Sequence, residues 1–335
     1  MSSSTITEAA PVAPARRVGP RLLLAALANP ASILFVLWML VFWGFAVTQP
    51  AFLTTGNVRN MLNQTSILFV VSIAATMVVL MGSIDLSVGG LLALAGLLLV
   101  ATNHGLPEWL GLVLVLIASV TLGAIVNGLP IAYLRMNPFI VTLGSGIAFR
   151  GLANVLTDGN TYVLNHASIS VTLATESLGP IPIPVIVMGV VLGVIYFVLR
   201  RTYFGRDVYA IGGNEEAAAL AGIPVKRVRL LVFVIMALVV GLATILQAGR
   251  LSSVAPTAGV GLEWTAVAAV LLGGTSVFGG RGSVIGTAIA VLLLATIGNG
   301  LNVSGVASFW NDVVTGTILI LALFLEQLRT RFLVK

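Results

Sequence analysis

Four charged side chains fall within or at the edges of long apolar runs: Asp85, Arg150, Glu263 and Asp312. In such places a carboxylate can cap a helix, pair with a cation, hold an ion or carry a proton. A charge at the bilayer centre costs roughly 2.5–3.5 kcal/mol on insertion scales, and all four stand near the ends of their runs, where the cost is smallest. Proton- and ion-coupled carriers need titratable or ion-coordinating groups near the midplane. Here only scattered Asn, Ser and Thr occupy that depth, so the chain offers no energy-coupling chemistry of its own. The candidate pathway or gating residues are Asn63, Gln64, Asp85, Arg150, Asn299 and Asn302. In the turn Gly82 to Gly90 (GSIDLSVGG), Asp85 is expected to cap the next helix, with substrate contact as the alternative. Arg150 either snorkels to the interface or meets a polar ligand or partner at the outer mouth, and Glu263 and Asp312 divide in the same way.

Other chemistries are excluded by residue type. There are no cysteines, which removes disulfides, thiolate metal sites and redox dithiols. His104 and His166 are isolated, so no metal site is expected. No GxxxxGK[ST] loop, HExxH helix or GxSxG elbow is present, and the two lysines, Lys226 and Lys335, follow no glycine-rich turn. Gly279, Gly280 and Gly282 around Arg281 follow no strand and read as a tight turn rather than a nucleotide loop. No catalytic residue and no bound cofactor are expected.

The elements that must position these residues are membrane helices. The chain is 58% hydrophobic and 8% charged, against about 25% charged in soluble domains. A span needs roughly 20 apolar residues, so 335 residues hold on the order of ten spans and no folded soluble domain. The expected spans are 31–48, 66–81, 86–102, 110–134, 139–155, 184–199, 230–248, 265–278, 284–302 and 309–325. With the N-terminus inside, fourteen of the 17 basic residues lie on inside segments, and only Arg59, Arg150 and Arg250 lie outside. Treating 86–102 or 265–278 as re-entrant segments fits this bias less well. The net charge of +6 follows the orientation pattern and does not indicate nucleic acid. Residues 1–29 read as a flexible cytoplasmic tail before an uncleaved first span, 30–328 as the transmembrane domain, and 329–335 as a cytoplasmic tail.

Arg200 to Arg229 is the longest polar interruption and carries six basic residues. Within it lies a short helix signal: Asn214 as N-cap, Glu215 and Glu216 on the first turn, Ala217 to Ala221 as helix formers, then Gly222, Ile223 and Pro224 as the stop. Either this loop satisfies only its own backbone, or the helix docks a soluble partner.

Five stretches carry a resemblance over nearly all the chain after the tail. They are Gln64 to Gly90, Asn137 to Ala153, Gly205 to Arg229, Leu271 to Thr287 and Gly298 to Ala322. In this order they resemble the permease subunits of monosaccharide-type ABC importers, the ribose, galactose and xylose group. That family commonly has Gly where Ser83 stands and often Pro where Glu215 stands. The resemblance implies an all-α polytopic protein of about ten helices with the second-type ABC importer fold, both termini inside. It implies a homodimer in the bacterial inner membrane, an extracytoplasmic sugar-binding protein, and a cytoplasmic ABC ATPase that holds ATP and Mg. That ATPase would dock on 215–221, with Gly205, Arg206, Asn214, Glu215, Glu216, Ala217, Ala218, Ala219, Gly222, Ile223 and Pro224 as coupling residues. Rival readings are an ion-coupled secondary sugar carrier, disfavoured by the missing midplane carboxylates, and a structural or sensory membrane protein.

Overall fold

The computed structural model describes residues 30–164, 168–307 and 309–333. The predicted N-terminal tail, His166 and Lys335 lie outside them. Each predicted apolar run contains a helix, and among the described residues seven helices are long and apolar enough to cross a membrane. They are α1 (Pro30–Thr48), α2 (Thr55–Leu80), α4 (Glu108–Tyr133), α5 (Pro138–Thr157), α7 (Ile183–Arg201), α10 (Val225–Leu251) and α12 (Val284–Val303). Two shorter apolar helices, α3 (Val88–Val100) and α11 (Leu262–Leu272), and a final helix α13 (Trp310–Leu333) make up the rest of the bundle. Helix α13 runs through the boundary drawn at 328 between the last span and a tail.

Helices α3 and α11 differ from the uniform spans expected of them. At 1.5 Å per residue they cover about 20 and 17 Å of a hydrocarbon core about 30 Å thick. Each is preceded by a non-helical stretch, 82–87, which is largely buried or half-buried, and 252–261, of which Val254 and Pro256 are buried. Irregular backbone is tolerated at membrane depth only where protein or a cavity surrounds it. The first stretch is held by a side-chain chain. Asp85 Oδ1 accepts from the Ser87 backbone N–H (2.9 Å) and hydroxyl (2.6 Å). Asn127 donates to Ser87 Oγ (2.8 Å) and accepts from Ser145 (2.6 Å). Asn127 lies in a π-helical turn of α4, Gly123–Gly128. Pro130, which cannot donate to the carbonyl four residues back, accounts for the local widening. Asp85 therefore does not cap α3, which begins at Val88 with no side-chain cap bond. It closes a turn onto Ser87 and is built into the bundle.

Helices α2 and α10, the two with the most buried spans, run through the middle of the core. Where α3 crosses α5, Gly90 faces the Gly146 backbone so closely that a Cβ would overlap its carbonyl. Small residues allow this close backbone approach between helices in lipid.

Non-helical pieces at one end were not legible in the sequence. Strand β1 (Tyr162–Val163) pairs antiparallel with β4 (Ser253–Val254), and β2 (Ser177–Leu178) with β3 (Ile181–Pro182). A short helix, α6 (Ile169–Thr175), sits between β1 and β2. At this end Glu108 accepts from the Ile169 N–H, and Arg59 donates to the Thr175 carbonyl. Arg135, Arg200, Arg201, Arg206, Lys226, Arg227, Arg229 and Arg281 fall at the opposite end, hereafter the basic end.

Candidate functional site

The basic end carries the predicted loop helix. The polar interruption is shorter than Arg200 to Arg229, because α7 extends to Arg201 and α10 starts at Val225. Most of what remains is helical. Helix α8 (Tyr203–Gly213), which the sequence reading treated as loop, begins with Thr202 accepting from the Gly205 N–H. Gly205 is buried against the last carbonyls of α7, and Arg206 stacks on Tyr203, 4.1 Å from the ring centre. A single residue, Asn214, separates α8 from α9 (Glu215–Leu220).

Helix α9 has the expected caps. Asn214 Oδ1 accepts from the Ala217 N–H at 2.9 Å. Gly222 takes φ +85°, and the N–H groups of Gly222 and Ile223 return to the carbonyls of Ala219 and Ala218. Asn214→Ala removes one cap bond and is expected to cost the helix about 1 kcal/mol. Amide exchange at Ala217 and Ala218 should then rise roughly fivefold, with exchange in α2 unchanged.

The exposed and buried faces of α9 divide the nominated residues. Ala217, Ala219, Leu220, Glu216 and Pro224 are exposed, whereas Ala218 is 4% exposed and packs into the core. Ala218 is thus an anchor of the helix and not part of a docking face. Glu215 is also committed: it forms a two-pronged ion pair with Arg229 of α10, at 2.5 and 3.2 Å. The Arg229 hydrogen bond, aided by the charges of Arg229 and Arg135, holds the Glu215 carboxyl below its usual range despite partial burial. Among the described residues Glu216 has no such partner. A depressed folded-state value means that the pair stabilises fully above the ordinary Glu value of about 4.3, and that this contribution is lost as pH falls through the depressed value. With the Glu215 side exposed to solvent screening, the pair is worth about 0.5 kcal/mol. Glu215→Gln should speed exchange in α9 at pH 7, by a factor that salt shrinks and that disappears below the folded-state pKa.

The second constellation is a half-open cavity of about 370 Å³ between α2, α10, α11, α12 and the start of α13. Its polar wall includes Gln64, Gln247, Arg250, Asn299, Asn302 and Asp312. Three predicted pathway residues, Gln64, Asn299 and Asn302, are brought together here. Gln247 and Arg250 were not nominated: three residues apart near the end of α10, they share one helix face, a signal available in the sequence. Among the described residues neither Arg250 nor Asp312 has a side-chain partner. Asn311, also on the wall, has a buried Oδ1 with no donor. Such an orphaned acceptor costs about 1–3 kcal/mol until a donor arrives. Asn299 exchanges reciprocal amide hydrogen bonds of 2.9 and 3.0 Å with Asn57, tying α12 to α2. Asn63 does not line the cavity; its Oδ1 is buried without a partner. Asp85 lines no part of it.

Arg150 lies apart, in a second cavity of about 350 Å³ with Glu263 and Trp264. Its guanidinium turns inward and donates to the carbonyls of Pro256 (2.8 Å) and Ala258 (3.2 Å), pinning the stretch before α11. No group of His, Asp or Glu among the described residues is arranged to hold a metal ion.

Residues 57–323 match the family described as Branched-chain amino acid transport system / permease component. The chain is 40% identical over 302 residues to the Ribose import permease protein RbsC of Bacillus subtilis (strain 168), covering 89% of this chain and 92% of that one. It is 36% identical over 299 residues to the D-allose transport system permease protein AlsC of Escherichia coli (strain K12), covering 88% and 90%. To the L-arabinose ABC transporter permease protein AraH of Azospirillum brasilense it is 34% identical over 326 residues, covering 96% and 93%. No solved structure matches the chain at a significant level.

Proposed function

From the premise that the chain belongs to the Branched-chain amino acid transport system / permease component family, with ribose, allose and arabinose permeases among its relatives, we propose that it forms the translocation path of an ATP-driven importer for a monosaccharide or a related polar solute. It is a multi-pass membrane permease subunit, and the proposal places it in the bacterial inner membrane with ten crossings and both termini inside. The basic end then faces the cytoplasm, as the positive-inside rule requires. A second copy completes the path, a cytoplasmic ABC ATPase binds ATP and Mg and docks on α9, and an extracytoplasmic binding protein delivers the solute to the opposite end.

The observation that carries this reading is the polar cavity with Arg250, Asp312 and the orphaned Asn311 oxygen on its wall. Amides, one cation and one carboxylate offer a hydroxylated solute both donors and acceptors, and its volume lies within the usual range for small-molecule sites. ATP binding would close the ATPase dimer and move α9, shifting a two-state bundle between inward- and outward-open forms.

An ion-coupled carrier draws on Asp312, the carboxylate on the cavity wall. That residue stands in the first turn of α13, toward the end of the bundle, which is unlike the midplane placement such coupling uses. Affinity purification of the tagged chain from its native membrane tests the importer reading. An ABC ATPase in stoichiometric amount is the expected companion. A chain that purifies alone and takes up sugar alone would overturn it.

A further inference from the structure

Between the proposed docking helix and the cavity lies a junction where three chain segments meet through their backbones. The first is the end of α8, one residue before α9. The second is the end of α2 at Leu80 to Gly82, and the third is the segment 273–283 that joins α11 to α12. The Gly280 N–H donates to the Leu80 carbonyl at 2.8 Å. A Cβ placed on Gly212 would overlap that same carbonyl and stand 2.5 Å from the Gly280 nitrogen. A Cβ on Gly279 would stand 2.7 Å from the Gly82 nitrogen and 2.9 Å from the Gly212 carbonyl oxygen. Tyr209 of α8 adds a hydrogen bond from its hydroxyl to the Gly282 carbonyl at 3.2 Å.

Apart from α8 itself, the helices that leave this junction reach the cavity. Helix α2 carries Gln64, α11 carries Leu262 and Thr265, and α12 carries Asn299 and Asn302. Contacts made through side chains absorb a displacement by changing rotamer, because several staggered states lie close in energy. Backbones in direct contact and hydrogen-bonded have no such slack. We infer that the Gly212, Leu80 and Gly280 junction is the stiff joint that carries movement of α9 into the cavity walls, with Gly212 and Tyr209 as positioning residues.

This inference rests on the importer reading, and one experiment separates the two. The wild-type chain, Gly212→Ala, Tyr209→Phe and the control Gly213→Ala, whose methyl meets nothing within 4 Å, are each reconstituted with the ATPase and sugar-loaded binding protein. Recovery from membranes, ATPase co-purification, stimulation of hydrolysis by the binding protein, and uptake are measured. Gly212→Ala is expected to be recovered and to co-purify, yet to lose stimulation and at least tenfold in uptake, while Gly213→Ala matches wild type. Tyr209→Phe adds no atoms and is expected to lower uptake about threefold with co-purification intact. If Gly212→Ala is not recovered from membranes, Tyr209→Phe decides. Wild-type uptake in the deciding variant overturns the inference, as does loss of co-purification, which would make the junction part of docking. A wild-type chain that neither co-purifies with the ATPase nor imports with ATP overturns the importer reading instead.

Discussion

Leu220→Glu is expected to abolish uptake while leaving the chain in the membrane at its normal level. Leu220 is 90% exposed at the end of α9, beside the exposed Ala217 and Ala219, and touches little of its own fold. Replacing it therefore costs the isolated chain almost nothing. A leucine buried by a partner contributes about 2 kcal/mol, and a carboxylate desolvated in the same place adds a further penalty. Docking should weaken by at least a hundredfold, seen as loss of the ATPase from the purified complex. Ala218→Glu gives the contrasting outcome. Ala218 is in the core, so the same charge there should reduce the amount of chain recovered from membranes. Normal co-purification and uptake by Leu220→Glu would show that α9 is not the docking element.

A plug in the cavity is the second large effect. Gly298 lines the 370 Å³ space, and the nearest atom to a Cβ there is Asn311 Oδ1 at 3.6 Å, an ordinary contact. Gly298→Ala should accordingly be tolerated. Gly298→Phe extends a ring into the space that Gln64, Asn299 and Asn302 surround. Uptake is expected to fall at least tenfold with ATPase co-purification unchanged, the reverse of the Leu220→Glu pattern on docking. Full transport by Gly298→Phe would remove this cavity from the path.

The positions of the helices were legible in the sequence because lipid leaves no choice. A run of apolar residues must satisfy its own backbone, and in a membrane that means a helix. Short α9 was equally legible, since Asn214, Gly222 and the acidic first turn are local signals read by nearby N–H and C=O groups. What local signals do not encode is which neighbour a residue meets. Glu215 looked like either a docking residue or a cap, and its pairing depends on where α10 brings Arg229, fourteen residues on. Ala218 and Ala219 look alike in sequence, and only the packing of α9 onto the bundle separates them. Asp85 resembles a cap by its position before a helix, but the π turn that delivers Asn127 to Ser87 draws that segment into a buried network. The cavity was legible in part. Gln64, Asn299 and Asn302 stood out as polar residues in apolar helices, whereas Arg250 was read as an exception to the charge rule and Asp312 was left between an interfacial charge and a contact with a polar ligand or partner. The ends of α3 and α11 were less legible, because apolar residues such as Leu86, Val277 and Phe278 continue the runs beyond the helices.

The central claim, that this permease moves a polar solute with energy supplied by another chain, is tested most directly in proteoliposomes. The purified chain is reconstituted alone and with its co-purifying ATPase and binding protein, and uptake of labelled ribose, allose and arabinose is followed. Uptake of at least one of these sugars is expected only with the full set and with ATP on the side of the basic end, unaffected by collapsing proton and sodium gradients. Uptake by the chain alone that follows an imposed ion gradient and ignores ATP would contradict the account.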